Sequence, residues 1–145
     1  AIPNRQAIVA GDPALLQLIG YALGPAAPGQ ALAVTLYWQA LAAIPQDYTV
    51  FVHVFDAQGV PVAQQDGQPL DGRAPTSWWA PGEVFRDVHQ VDLPADLPPG
   101  SYAVQVGLYY WATGERLPLF TAAAQRLTDD TWQLPTTLSV SAPSP

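Results

Sequence analysis

Cysteine, methionine and lysine are absent from this chain, and charged residues of all kinds make up only 12% of it. The absence of cysteine excludes disulfides, thiolate nucleophiles and cysteine-based metal sites, although it leaves the redox compartment open. The 5 basic residues are all arginines, scattered along a chain of net charge −7, so there is no basic stripe to follow a phosphate backbone. We therefore expect neither nucleic acid nor anionic lipid as a partner.

Long apolar runs are missing as well. No uninterrupted apolar segment approaches the roughly 20 residues of a membrane-spanning helix, so we expect the domain itself to be soluble. The N-terminal stretch "AIPNRQAIVAGDP" lacks the basic-then-apolar layout of a secretory signal. Because the sequence starts at Ala1 and holds no methionine, we expect it to be a processed product or a piece of a longer protein.

The residues that are present predict one folded all-β domain. The 145 residues suffice for a single core, and 49% of them are hydrophobic, which argues against intrinsic disorder. The 16 prolines and 11 glycines separate short apolar runs without any period, a pattern typical of short strands joined by tight turns. We expect an N-terminal segment at 1–13, a β-sandwich domain at 14–140 and a proline-rich linker or tail at 141–145.

Side-chain alternation places the main strands. The clearest segments are 31–40, 48–56, 60–66 and 101–110. The second of them is apolar on both faces and should be a central strand, whereas the third is short, polar and interrupted by Pro61, which suits a sheet edge. Residues 15–23 and 133–140 add a first and a last strand. With the segment 83–93 and a further strand at the end of "ATGERLPLF" (112–120), there are about eight in all.

The segment 83–93 does not alternate cleanly. Val84 and Val88 fall on one face, whereas Val91 and Leu93 fall on the other. A β-bulge between the two pairs would bring their registers together. We therefore expect a bulged strand here.

A tyrosine near the start of the penultimate long strand refines the fold class. Strands at this spacing, without helical periodicity, favour a two-sheet antiparallel sandwich. In "LPPGSYAVQV" (97–106), Tyr102 lies where immunoglobulin-like domains place a tyrosine whose hydroxyl bonds back to the preceding corner. We predict an immunoglobulin/fibronectin III-like sandwich with Tyr102 at this corner, and a jelly roll is the alternative.

Four stretches, in this order, carry a resemblance to a known family: "LYWQAL" (36–41), "DYTVFVHVFD" (47–56), "SWWAPGEVF" (77–85) and "LPPGSYAVQVGLYYWATGERLP" (97–118). They resemble the β-sandwich domain that follows the membrane spans of large bacterial proteins similar to dolichyl-phosphate-mannose-type glycosyltransferases. The resemblance lies in strand and turn residues, with no catalytic signature among them. It implies an extracytoplasmic domain, non-catalytic in itself, attached to a membrane-bound enzyme of cell-surface glycan synthesis.

Residues suited to chemistry are few. No serine has the G-x-S-x-G surroundings of a hydrolase nucleophile. A glycosidase needs two carboxylates that face each other across a cleft, and Glu83 and Glu115 both lie in turns, so nothing in the sequence picks out such a pair. We therefore expect no enzyme activity, no catalytic residues and no cofactor. A metal site holding His53, His89 and Asp87 would require their strands to be neighbours. We predict no metal site and interpret His53 as a hydrogen-bonded interior residue and His89 as an edge residue.

Calcium is a weaker alternative. Aspartate dominates the acidic residues, and it clusters in the turns "DGQPLDGR" (66–73) and "TDD" (128–130). Oxygen ligands from loops suit Ca²⁺. Such short turns lack the spacing of a calcium loop, however, and their side chains more often cap their own backbone.

Aromatic residues provide the main functional lead. Exposed tryptophan and tyrosine rings form flat platforms on which a sugar can stack. Successive side chains of an extended segment point to opposite faces, so we expect Trp79 to anchor the loop 67–82 to the core and Trp78 to be exposed. Tyr109 and Trp111 fall at the end of the strand 101–110, where a ring can meet a partner. We select Trp78, Tyr109 and Trp111 as candidate ligand-binding residues.

Two functions from different classes remain open. The first is a non-catalytic, extracytoplasmic structural or interaction module of a membrane-bound, glycan-related bacterial protein, as the resemblance implies. The alternative is a carbohydrate-binding module that uses the exposed aromatic rings. In either case we expect a cell-envelope protein or a glycan as partner, a parent protein anchored in the membrane, and a monomer or a weak dimer paired through the edge strand 60–66.

Overall fold

A computed structural model describes residues 1–142 of the chain. Short strands follow one another along it, as the spacing of prolines and glycines predicts. The strands are β1 (Ile8–Ala10), β2 (Leu16–Leu23), β3 (Ala31–Ala40), β4 (Tyr48–Phe55), β5 (Pro61–Gly67), β6 (Val84–Asp92), β7 (Gly100–Tyr110), β8 (Leu119–Phe120), β9 (Trp132–Gln133) and β10 (Leu138–Val140). Within residues 1–142 the only helical elements are the 3-10 turns Pro69–Gly72, Thr76–Trp78 and Thr128–Asp130, and none of these is long enough to cross a membrane.

The two sheets follow the strand order of immunoglobulin-like sandwiches. The first runs β6-β3-β2-β1-β8, and the second runs β10-β7-β4-β5, with β9 also paired to β7. Strands β2, β3 and β6 therefore take the places of A, B and E, while β4, β7 and β10 take those of C, F and G. This order confirms the predicted immunoglobulin-like sandwich over the jelly roll, and β5 lies at a sheet edge as its proline predicts.

The N-terminal segment contributes a strand to the first sheet. The three residues Ile8–Ala10, which the sequence leaves in the segment 1–13, pair with β2 on one side and with β8 on the other. A strand this short shows no alternation that a sequence pattern can reveal. Of the tail, Ser141 and Ala142 are exposed, and residues 143–145 lie outside the described residues.

The core lies between the inner faces of the two sheets. The inward row of β3 is buried as its alternation predicts: Leu32, Val34, Leu36 and Trp38. Strands β4 and β7 oppose it from the second sheet with their own buried valine rows. The hydroxyl of Tyr102 donates to the carbonyl oxygen of Pro98 at 2.5 Å, which confirms the predicted tyrosine corner.

Strand β6 contains no bulge, so this prediction is wrong. It pairs with β3 in one unbroken register along its 9 residues. Val84 and Val88 face outward, whereas two polar side chains, Asp87 and His89, occupy inward positions and are buried. The apolar alternation breaks because polar residues stand at core positions, not because the backbone shifts.

Asp87 and His89 are buried because each finds polar partners inside the sandwich. Asp87 is 0% exposed, and its Oδ2 atom lies 2.6 Å from Nε2 of His89. The same carboxylate accepts hydrogen bonds from the Trp38 indole N–H at 3.1 Å and from the Leu70 backbone N–H at 2.9 Å. Nδ1 of His89 lies 2.7 Å from Oε1 of Gln65 on β5. The network therefore joins the two sheets along the side where β5 and β6 meet.

Candidate functional site

The outer face of β4 forms the floor of the candidate site. Phe51 points away from the core, yet it is only 2% exposed. The guanidinium carbon of Arg116 lies 4.3 Å from the centre of the Phe51 ring and covers it. On the neighbouring strand β7, Gly107 leaves the space that the ring occupies, because a Cβ atom there would overlap the Phe51 ring. The second apolar face of β4 is thus covered locally, at Phe51.

A hairpin after β7 positions the covering arginine. The backbone N–H of Tyr110 donates to the carbonyl of Glu115 at 2.9 Å, which closes the hairpin 111–116. The Nη1 atom of Arg116 donates to the carbonyl of Asp129 at 2.9 Å. The guanidinium is therefore held between an aromatic ring and a backbone acceptor.

Tyr109 and Asp66 form a second wall of the site. The Tyr109 hydroxyl donates to Oδ2 of Asp66 at 2.8 Å. Burial, followed by this hydrogen bond and the charge of Asp66, raises the pKa of Tyr109 to about 12. The phenol therefore stays protonated at neutral pH and continues to donate. The Oδ1 atom of Asp66 makes no hydrogen bond within residues 1–142, so it is available as an acceptor.

His53 also lies on the outer face, which corrects its interpretation as a hydrogen-bonded interior residue. It is half-buried, and its ring centre lies 4.8 Å from that of Phe51. Burial lowers the pKa of His53; the nearby Arg116 lowers it further, and Asp66 opposes the shift. His89 is the interior histidine, on β6 of the other sheet. Within residues 1–142 no group of three or more acidic or histidine side chains is arranged to hold a metal ion.

These side chains line an open cavity of about 220 Å³ on the outer face of the second sheet, which we call the sheet-face pocket. Its lining residues are Phe51, His53, Asp66, Tyr109, Gly114 and Arg116. Trp111 extends the rim, because its ring centre lies 6.3 Å from that of Tyr109 and its side chain is 74% exposed. The pocket therefore combines aromatic faces with one carboxylate and one guanidinium.

The structure brings two of the three predicted site residues together. Tyr109 lines the sheet-face pocket, and Trp111 lies at its rim. Trp78 is 72% exposed, as predicted, but within residues 1–142 no aromatic contact joins it to the other two rings. A binding role for any of the three residues stays a prediction.

The adjacent tryptophans have separate environments, as strand geometry predicts. Trp79 is 3% exposed, stacks on Phe85 at 4.3 Å between ring centres and donates its indole N–H to the Ala74 carbonyl at 2.9 Å. It anchors the long loop to the core, which confirms that prediction. Trp78 is held on a fixed turn, because Thr76 beside it donates its hydroxyl to the carbonyl of Gln46 at 2.7 Å.

Sequence patterns did not reveal the other pocket residues. Asp66 lies on a polar edge strand and Arg116 ends a hairpin, and the two lie far apart in the sequence. Only the pairing of β5, β4 and β7 brings them to one cavity. The one signal that could have found Phe51 is the second apolar face of β4.

Comparison with known proteins shows the fold alone. No protein-family model matches the chain, and no curated protein matches its sequence. Among solved structures, the chain is similar to the crystal structure of the C-terminal domain of Wzt, with a TM-score of 0.62 and 15% sequence identity. The match covers 99% of this chain and 84% of that one, so the whole sandwich, including the short β1, takes part in the likeness.

Proposed function

We propose that this chain is a non-catalytic carbohydrate-binding module whose ligand occupies the sheet-face pocket. The observation that supports the proposal is the grouping of Tyr109, Asp66 and Arg116 over Phe51, with Trp111 at the rim. A sugar ring has an apolar face that stacks on aromatic rings and hydroxyls that need both donors and acceptors. The pocket offers each of these within one cavity of about 220 Å³.

The polar groups of the pocket are held in place without a ligand. Asp66 accepts the Tyr109 hydroxyl through one carboxylate oxygen, which leaves the other oxygen for a sugar hydroxyl. Arg116 is fixed by Phe51 and by the Asp129 carbonyl, and its remaining N–H groups are donors. Groups that are already ordered lose little side-chain entropy when a ligand binds.

Hydrolysis of a glycosidic bond would need two facing carboxylates, and Asp66 is the single carboxylate in the lining of the sheet-face pocket.

Calorimetric titration tests this proposal. The chain would be titrated with linear gluco-, manno- and galacto-saccharides, from single units to polysaccharides. Trp111→Ala should weaken binding at least about tenfold, because it removes the exposed aromatic face on which a sugar would stack at the rim of the pocket. Trp78→Ala is the matched control, because Trp78 is exposed to nearly the same extent, 72% against 74%, and lies outside the pocket. The proposal fails if no saccharide binds, or if Trp78→Ala abolishes binding and Trp111→Ala leaves it intact.

We further propose that the domain lies outside the cytoplasm, as part of a membrane-anchored, glycan-related bacterial protein. The support is the sequence resemblance of 36–41, 47–56, 77–85 and 97–118 to the domain that follows the membrane spans of glycosyltransferase-like proteins. Proteinase K added to intact spheroplasts should digest this domain in the full-length protein. Protection of the domain until the membrane is lysed would contradict the proposal.

The second candidate is an interaction module that docks a cell-envelope protein through Trp78. The observation that favours it is an exposed indole on a turn whose backbone is held by hydrogen bonds. The backbone N–H of Trp78 donates to the Pro75 carbonyl at 2.9 Å, and the backbone N–H of Ser77 donates to Oδ1 of Asp47 at 3.0 Å. Photocrosslinking from benzoylphenylalanine at position 78 in cells should give one discrete adduct. The same group at the exposed position Asp71 should give none, and equal labelling from both positions would contradict docking through Trp78.

A further inference from the structure

A second cavity lies at the end of the sandwich, next to the sheet-face pocket. It has a volume of about 550 Å³, and we call it the end cavity. Its polar lining includes Gln46, Tyr48 and Glu115, and its apolar lining includes Leu15 and Leu117. The volume falls within the range of roughly 300–1,000 Å³ that small-molecule sites occupy, whereas the sheet-face pocket, at about 220 Å³, lies below it.

The hairpin 111–116 is the ridge between the two cavities. Thr113 and Glu115 line the end cavity, and Gly114 lines the sheet-face pocket. Arg116 lines both. A molecule that occupies both cavities therefore contacts Arg116 as it crosses the ridge.

The end of β7 divides its tyrosines between the same two cavities. Consecutive strand residues point to opposite faces. Tyr109 therefore lines the sheet-face pocket, whereas Tyr110 lines the end cavity. Each cavity thus has an aromatic wall, and the two walls are joined through one stretch of backbone.

The end cavity offers the same kinds of polar and aromatic groups as the sheet-face pocket. The Tyr48 hydroxyl donates to Oε1 of Gln46 at 3.3 Å, and the ring centres of Tyr48 and Tyr110 lie 6.3 Å apart. Burial, with the charge of Glu115, raises the pKa of Tyr48, so its hydroxyl stays protonated at neutral pH. Hydroxyl, amide and carboxylate groups around aromatic and aliphatic walls again suit a sugar ring.

We infer that the ligand is an oligosaccharide that fills both cavities across the Arg116 ridge, rather than a single sugar. The inference rests on the proposed carbohydrate function and adds the size class of the ligand. It follows from two cavities of like chemistry that share Arg116. A single sugar in the sheet-face pocket leaves the larger cavity empty, whereas a chain of several units gains contacts in both.

A length series tests the inference. The chain would be titrated with linear gluco-, manno- and galacto-oligosaccharides of one to six units. Affinity should rise at least about tenfold between the single unit and the longer members, since additional contacts are gained without new ordering of the pocket. Gln46→Ala and Glu115→Ala, both at exposed residues, should remove this gain and leave the affinity for the single unit unchanged. Asp66→Ala should weaken binding at every length.

The outcomes separate the two proposals. If no saccharide of any length binds, the carbohydrate function itself fails and the inference falls with it. If a saccharide binds but a single unit binds as tightly as six, the inference is overturned while the carbohydrate function stands. A length gain that survives both Gln46→Ala and Glu115→Ala also overturns it, provided that both variants unfold at the wild-type temperature.

Discussion

The Tyr109 hydroxyl reaches Oδ2 of Asp66 at 2.8 Å across an intervening strand. Tyr109 lies on β7 and Asp66 on the edge strand β5, and β4 separates the two. Their hydrogen bond therefore ties the edge of the second sheet to its centre over the outer face of β4. The same contact orients the carboxylate that the proposed ligand would meet.

Asp66→Asn should lower the pKa of Tyr109. Burial is the largest cause that raises the pKa of Tyr109 to about 12, and the Asp66 carboxylate raises it further through its hydrogen bond and its charge. An amide removes the charge, so the pKa of Tyr109 should fall from about 12 but stay above the ordinary value of roughly 10, because the partial burial of the side chain remains. NMR titration of ¹³C-labelled tyrosine measures this pKa directly. A Tyr109 pKa that does not change in Asp66→Asn would show that burial alone sets it.

Gly107→Ala should destabilise the chain and disturb the pocket floor. The new Cβ would overlap the Phe51 ring and lie 2.9 Å from the Asp130 carbonyl oxygen. Because both neighbours belong to packed structure, we expect a loss of about 1–3 kcal/mol in the free energy of unfolding. Urea denaturation measures this loss. Gly24→Ala is the control, since its Cβ would meet its nearest neighbour at an ordinary 3.4 Å, and a loss as large as that of Gly107→Ala would contradict the steric argument.

Sequence patterns were sufficient to predict the fold because the core strands obey them. The alternation of β3 and the tyrosine corner at Tyr102 both appear in the structure. The pattern failed at β6, where Asp87 and His89 stand at core positions. Polar residues in a core can be recognised only when their partners are known. Gln65 is the partner of His89, but it lies on another strand and nothing in the sequence marks it as a partner.

The candidate site was only partly predictable for a related reason. Tyr109 and Trp111 are close in the sequence, and alternation near the end of a strand is enough to place them at a surface. Asp66 and Arg116 reach the same cavity through strand pairing and a hairpin, which a single sequence does not encode as a local pattern. The apolar neighbours of His53 in the sequence predict an interior residue, because the sequence alone does not show that Arg116 covers Phe51 on the outer face.

Asp87→Ala should be among the most destabilising single substitutions in the chain. It leaves the Trp38 indole N–H and the Leu70 backbone N–H without their acceptor, and His89 without its partner. Breaking a buried polar pair in this way costs about 3–5 kcal/mol. Urea denaturation would measure the loss.

Two further variants make the Asp87 prediction decisive. Asp87→Asn keeps one acceptor oxygen and should lose less, so it reports on the network even if Asp87→Ala does not fold. Asp92→Asn removes an exposed carboxylate from the same strand and should stay within about 0.5 kcal/mol of wild type. Equal losses for Asp87→Asn and Asp92→Asn would contradict a structural role for the buried network.

The lowered pKa of His53 makes folding stability depend on pH in a defined direction. Burial favours the neutral imidazole, so the unfolded chain binds the proton more tightly than the folded chain does. The free energy of unfolding should therefore fall as the pH decreases below about 6.5, the ordinary histidine value, and level off below the folded-state pKa. In His53→Asn this component is absent, so wild type should lose more stability than the variant between about pH 8 and about pH 5. The two proteins differ only at residue 53, so the difference between their curves reports on His53. Parallel curves of unfolding free energy against pH would mean that the sheet-face pocket does not favour neutral His53.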